Sequence, residues 1–204
     1  MTGPRIARVC LFLLTLLFPL GVQSLTACEI PPDLLTGRSL SETWKILEGE
    51  VVFVADAQLH DFEGRTSAIS GLVMARELAD AVGCVAIGAK DLDTGIRRRN
   101  EIMWKDHLEV TEYPEIRFTL TGLTDVRKEA ERVGLMLEGE LMLHGVPQRL
   151  RIPATVSTKN GMFEVEGKTT LKMSDHAIER PSLLFFTVED EVDVRFRVLV
   201  GEGT

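Results

Sequence analysis

Clustered positive charge is what this chain most plainly lacks. Its 204 residues carry 23 Lys and Arg against 31 Asp and Glu, a formal net charge of −8. Phosphate contacts need grouped cations. The nearest approach to a group is Arg97-Arg98-Arg99, which stands at a helix start and reads as a solvated face. Nucleic acid is therefore not expected as a partner. Catalytic signatures are missing as well: there is no G-x-S-x-G, no H-E-x-x-H and no Gly-rich phosphate loop. His60, His107, His144 and His176 fall near turns or element ends, with no standard zinc spacing. Glu129-Ala130-Glu131 and Glu189-Asp190-Glu191 lack the Asp/Asn and Gly pattern of a calcium loop. Ser174, Asp175 and His176 are adjacent on an extended segment, where neighbours point to opposite sides, so they form no relay. The sequence thus implies no enzyme, no metal and no cofactor. Cysteine is scarce too. Of Cys10, Cys28 and Cys84, the first lies in the leader described next, so neither a CxxC redox motif nor a thiolate cluster can form.

Long apolar runs are confined to the N-terminus. Arg5 and Arg8 precede Val9 to Phe18, interrupted only by Thr15. This is the n-region and h-region of a secretory signal, too short for a comfortable bilayer span. Residues 1–27 are read as the signal. Its removal takes away Arg5 and Arg8 and no acid, leaving 21 basic against 31 acidic residues, or −10. Val22-Gln23-Ser24 is one acceptable cleavage site, giving a start at Leu25. Leu25-Thr26-Ala27-Cys28 is the sharper pattern and looks like a bacterial lipobox, in which Cys28 becomes the acylated first residue. The expectation is a lipoprotein in the periplasm, anchored to the membrane at Cys28. Its alternative is a soluble exported protein with Cys28 paired to Cys84 in an oxidising compartment. Residues 28–43, with Pro31, Pro32 and Gly37, read as a tether.

From residue 44 to 204 the chain alternates. Phe163, Val165, Gly167, Thr169, Leu171 and Met173 interleave with polar residues, and so do Val192, Val194, Phe196 and Val198. Leu150 to Val156, Leu135 to Leu143 and Ile116 to Leu120 repeat the pattern. Period two over such lengths predicts half-buried antiparallel strands. Earlier strands are expected at Val51–Leu59, Gly64–Met74 and Cys84–Lys90. Asn160-Gly161 signals a tight hairpin, because both central residues of a type I′ turn need positive φ. Two helices are expected. One is short, at Glu77–Val82. The other covers Gly95–Leu108, with Asp93 or Thr94 as N-cap and Ile96, Met103 and Trp104 on one broad face.

The fold class is therefore all-β, mainly antiparallel: about eight strands closed into a barrel, with one helix capping an end. A barrel of that size is either filled by side chains or holds one slender ligand. Its inward rows are flexible aliphatics, interrupted by Gly139 and Gly167, and periodicity alone does not choose between the two.

Four stretches carry a family resemblance. They are Phe53 to Gly64; Leu92-Asp93-Thr94-Gly95 through Arg99-Asn100 to Tyr113-Pro114-Glu115-Ile116-Arg117-Phe118; Gly139-Glu140-Leu141-Met142-Leu143-His144-Gly145-Val146; and Ser174 to Pro181 with Val188 to Val198. Together they resemble the YceI-like family of lipocalin-like periplasmic barrels that bind polyisoprenoids. Asn100 stands where that family often has Asp, and His176-Ala177 where an aromatic and Gly are common. The resemblance implies an isoprenoid tail, polyprenyl or quinone-like, in the lumen of a carrier or scavenger. Each isoprene unit would bury about five carbons at about 0.8 kcal/mol each. By parity the lumen residues are Phe118, Leu120, Leu137, Leu141, Phe163, Val165, Leu171, Val194 and Phe196, and His144, Arg99 and Trp104 are head-group candidates. An enzyme acting on such a lipid, or a filled barrel serving as an envelope interaction module, are the alternatives. The chain could act as a monomer or a homodimer.

Overall fold

The computed structural model describes residues 28–57, 61–77, 80–183 and 186–202. The signal segment, with both of its cleavage sites, and His60 lie outside them. A four-residue helix, α1 (Pro32–Leu35), is followed by ten strands: β1 (Glu42–Ala57), β2 (Phe62–Thr66), β3 (Ile69–Ala75), β4 (Val82–Gly88), β5 (Glu115–Glu129), β6 (Arg132–Leu143), β7 (Val146–Lys159), β8 (Met162–Lys172), β9 (Ser182–Leu183) and β10 (Phe186–Glu202). A second helix, α2 (Arg97–Ile102), lies between β4 and β5 and continues into a π-helical turn, Met103–His107.

Every strand pair is antiparallel, and β10 returns to pair with β1, closing the sheet. β2 and β3 share one edge of β1 and act as a single broken strand, while β9 is a two-residue flap on β10. Eight strands therefore form the barrel wall, as the alternation implies. Closure removes the exposed edges that an open sheet would present.

The strong hairpin signal is met. Asn160 and Gly161 have φ of 52° and 79°, and His144-Gly145 make the same turn at 52° and 71°. The early strands differ from expectation. β1 begins nine residues before Val51, and its parity changes on the way. Trp44 and Ile46 face inward, then a bulge between Ile46 and Glu48 shifts the register, and Val51, Phe53 and Ala55 face inward. An extra residue in one strand inverts all later side chains. The expected strand Gly64–Met74 is broken at Ser67-Ala68. Of the short helix expected at Glu77–Val82, Asp80 is in 3-10 conformation, its N–H donating to the Glu77 carbonyl, and Val82 already belongs to β4. Leu78 and Ala79 lie outside the described residues.

The segment read as a tether is part of the core. Cys28 and Ile30 are buried against Val82, Cys84 and Ala86, the outward face of β4, and Leu34, Leu35 and Leu40 pack beside them. Arg38 fastens the far end, donating to the carbonyls of Asp80 and Thr121. Cys28 and Cys84 are joined in a disulfide. This is the pairing of the second expectation, and a sulfur bonded to Cys84 does not at the same time carry a thioether. Cys84 is likewise no lone thiol, although it is fully buried as a small core residue would be. Among the described residues no helix is long and apolar enough to cross a membrane.

Candidate functional site: an apolar lumen with a polar mouth

Inside the barrel lies a cavity of about 1140 Å³. Drug-sized ligands typically occupy about 300–1,000 Å³. The cavity runs from Met173 and Ile178 at the helix end to Thr158 and Phe163 at the other, so the lumen is not filled by its own side chains. Phe118, Leu120, Leu137, Leu141, Phe163, Val165, Leu171, Val194 and Phe196 all line it, as parity places them.

The glycines explain how a wall containing phenylalanines leaves room. A Cβ built on Gly139 would meet the Phe118 ring at 2.5 Å, and one on Gly167 would meet the Phe196 ring at 2.6 Å. Gly64 stands in the same relation to Phe53, its cross-strand partner. Each ring lies down on a strand that lacks a side chain, so it forms wall rather than plug. The glycines that interrupt the inward rows are thus not gaps. They are seats for rings.

The helix end is closed by the segment between β4 and β5. Its entry is pinned to β2 by two hydrogen bonds, Arg65 N–H to the Asp93 carbonyl and Asp93 N–H to the Arg65 carbonyl, both 2.9 Å. Neither Asp93 nor Thr94 caps α2. The N-cap is Ile96, with no side-chain hydrogen bond. The two expected caps instead meet Asn100, which is buried. Its Oδ1 accepts from Thr94 N (2.8 Å) and Thr94 Oγ1 (2.6 Å), and its Nδ2 donates to Asp93 Oδ1 at 2.6 Å. That bond, with one from Gly95 N–H, holds the Asp93 carboxyl below its usual range. Asn100 is therefore a keystone of the loop rather than a ligand contact.

Of the head-group candidates, only Arg99 reaches the cavity. Its Nε donates to Thr94 Oγ1 and its Nη2 to the Thr94 carbonyl, both at 3.0 Å, while the guanidinium carbon sits 4.7 Å from the centre of the Phe62 ring. A cation over a ring face gains about 0.5–2 kcal/mol. Trp104 is corrected: it does not line the lumen, and its Nε1–H donates to the Leu92 carbonyl at 3.0 Å. One residue beyond Met103 is about 100° further round a helix, which turns the indole off the inward face shared by Ile96 and Met103.

His144 is corrected as well. Its ring sits outside the lumen, with Nδ1 3.1 Å from the His176 carbonyl oxygen and Nε2 2.8 Å from Glu109 Oε2. Tyr113 lies against it, ring centres 4.5 Å apart. His176 is buried with Nδ1 3.1 Å from the Val146 carbonyl oxygen, and Ala177 takes a left-handed φ of 54°. Both histidines brace the β6–β7 turn against the segment after β8. Among the described residues, no group of three His, Cys, Asp or Glu is arranged to hold a metal. Residues that parity did not supply include Phe62, Ile102, Met103, His107 and Leu108. The helical ones follow from the 3.6-residue period of the segment, but only a known docking side says which face is inward.

A YceI-like domain model matches residues 45–200. The chain belongs to the YceI-like family. Among solved structures, this YceI-like barrel is similar to BcnA of Burkholderia cenocepacia, with 20% identity and a TM-score of 0.61, covering 75% of this chain and 96% of that one. It is similar to a polyisoprenoid binding domain from Saccharophagus degradans, implicated in plant cell wall breakdown, with 16% identity and a TM-score of 0.62, covering 80% and 100%. It is also similar to a Campylobacter jejuni YceI protein, at 15% identity and a TM-score of 0.56, covering 72% and 88%. No curated protein matches the chain. At these identities the likeness establishes the shared YceI-like fold; the ligand has to be argued from the cavity.

Proposed function

We propose that this protein holds a long-chain isoprenoid lipid inside the barrel and serves as a carrier or scavenger in an exported compartment. The observation that carries this is the continuous apolar lumen of about 1140 Å³. Burying a chain there gains about 0.8 kcal/mol per CH₂, so a few isoprene units suffice for tight binding without polar contacts. The name of the Saccharophagus relative, a polyisoprenoid binding domain, supports the same ligand class. A lumen lined this way discriminates chain length poorly, so selectivity belongs to the mouth. Export is supported by the signal-like N-terminus and by the Cys28–Cys84 disulfide, a bond that persists in oxidising compartments. Cleavage after Ser24 leaves Cys28 inside the mature chain and free to pair.

The test is lipid extraction from natively purified protein, followed by mass spectrometry. Stoichiometric co-purified isoprenoid is the expected result. A preparation that carries no lipid and takes up no added isoprenoid would overturn the proposal. Turnover of an added lipid, abolished by one His or Asp substitution, would replace it with an enzyme.

A further inference from the structure

Eight strands close the barrel, but one seam stops short. β4 and β5 pair from Gly88 opposite Glu115 only as far as Gly83 opposite Leu120. β5 runs on to Glu129, so among the described residues Gly122–Glu129 has β6 on one side and no strand on the other. The remaining seams at this end, remote from α2, are joined by a turn or laddered to within two residues of the strand ends: Glu42 with Ala75, Arg132 with Ser157, Phe163 with Val200, and Trp44 with Glu202. The free edge carries Asp125, Arg127, Lys128, Glu129 and a bulge, which discourage another strand from pairing there. A slot in the wall results. Ala81 on one lip and Leu123 on the other both line the lumen. The comparable gap between β7 and β8 at the helix end is filled: there Gln148 Nε2 donates to the Asp175 carbonyl at 2.8 Å, and His176 Nδ1 lies 3.1 Å from the Val146 carbonyl oxygen.

The β4–β5 slot is bridged instead by a side chain. Arg38 Nη1 donates to the Asp80 carbonyl at 3.0 Å and Nη2 to the Thr121 carbonyl at 3.3 Å. Those carbonyls stand on opposite lips just past the last strand pair, so the guanidinium continues the seam where the ladder ends. Arg38 is exposed, and water can replace both bonds. Its own segment keeps it in reach. Arg38 N–H donates to the Leu35 carbonyl at 3.3 Å, Gly37 turns the chain at φ 76°, and the Cys28–Cys84 disulfide anchors the start of the segment to β4. Arg38 stands before the YceI-like domain of residues 45–200, so this bridge is an addition to the shared barrel.

We infer that the β4–β5 slot is the door through which lipid passes into and out of the lumen, and that Arg38 is its latch. The inference rests on the lipid reading above and adds a route and a gating residue. The helix end is covered by the pinned segment between β4 and β5. Parting the lips past Arg38 breaks two exposed hydrogen bonds and lets a flexible chain enter sideways, without threading through the barrel from one end.

The experiment follows all-trans-retinol, an isoprenoid alcohol that fluoresces in apolar surroundings, into and out of the intact mature protein by stopped flow. A gate changes the barrier and not the end states, so both rates move together. Arg38→Ala should speed uptake and release about tenfold each, and leave the equilibrium affinity within about threefold. Arg38→Lys, with one compact donor group for two carbonyls, should fall between. Dithiothreitol, which frees the segment bearing Arg38, should accelerate wild-type protein similarly and add little to Arg38→Ala; the wild-type comparison needs no variant. Unchanged rates in Arg38→Ala would overturn the latch. Faster release with unchanged uptake would overturn it too, since Arg38 would then hold the filled state and not the door. Failure of wild-type protein to take up retinol or geranylgeraniol would overturn the lipid reading and this inference together.

Discussion

Removing the Cys28–Cys84 disulfide separates two accounts of the N-terminus. The cystines are 56 residues apart in sequence. Closing a loop of that length restricts the unfolded chain by about 4 kcal/mol in the chain-entropy model. In a protein of this size each kcal/mol moves the melting temperature by about 2–4 °C, so loss of the bond should lower it by about 8–16 °C. The structure also says where the loss is felt first. α1 is four residues long, far too short to persist alone. Its hold on the barrel is the burial of Cys28 and Ile30 on β4, the disulfide, and the two bonds from Arg38. A Cys28→Ala/Cys84→Ala variant should therefore release residues 28–40 below the global transition and uncover Leu72, Met74 and Val82. The assays are guanidinium unfolding of wild-type protein with and without reductant, and hydrogen exchange on the double variant. Coincident unfolding midpoints in oxidised and reduced wild type would refute the reasoning. So would incorporation of labelled palmitate into the exported protein, because an acylated Cys28 cannot also bond Cys84. The expected intact mass is that of an unacylated chain two hydrogens short.

Three further outcomes follow from the site. Gly167→Ala should cost about 1–3 kcal/mol of stability by overpacking, since its Cβ would sit 2.6 Å from the Phe196 ring and 3.0 Å from the Pro153 carbonyl oxygen. Adding Phe196→Ala should relieve much of that cost, and a double-mutant cycle showing no coupling would deny that the ring rests on the glycine. His144→Ala should lower stability by only about 1 kcal/mol, because its partner Glu109 is half exposed, and should leave the uptake of isoprenoid into the lumen unchanged, as unfolding midpoints and lipid binding will show. Asp93 is held below its usual value of 3.8 by Asn100 and the Gly95 N–H. A depressed carboxyl contributes stability above its unfolded pKa and loses it as pH falls through the folded one. The melting-temperature gap between wild type and Asp93→Ala should thus be full at neutral pH and close as pH drops below the ordinary aspartate range; a gap that widened in acid would refute the assigned cause.

What could be read from the sequence divides along physical lines. The late strands β6 to β8 and β10 keep one parity over most of their length, and β5 keeps it as far as Leu120, where a register shift moves the inward side to Leu123, so most of their inward residues are readable from alternation. β1 hides its inward face because the bulge after Ile46 changes parity in mid-strand, and the break at Ser67-Ala68 does the same for β2 and β3. The N-terminal segment misled differently. Pro31, Pro32 and Gly37 are the composition of a linker, yet a linker is defined by what it fails to touch. Only the outward apolar row Val82, Cys84 and Ala86, on a strand whose inward row Val85 and Ile87 is also apolar, could have signalled that something must cover β4. A strand apolar on both faces within a one-layer barrel requires a second layer. The head-group candidates failed for a related reason. His144 and Trp104 sit at the right end of the barrel but face outward or into the loop, and sequence supplies the end far more readily than the direction. Arg99 alone combines both, because the helix period carries it to the same side as Ile96 and Met103. The decisive feature of the lumen, its emptiness, was written in the sequence as pairs that parity cannot see: Phe53 with Gly64, Phe118 with Gly139, Phe196 with Gly167. Each member alone reads as a bulky plug or a weak point. Placed across the sheet from one another, they are the reason a barrel with few large aromatics and many aliphatics keeps its centre open.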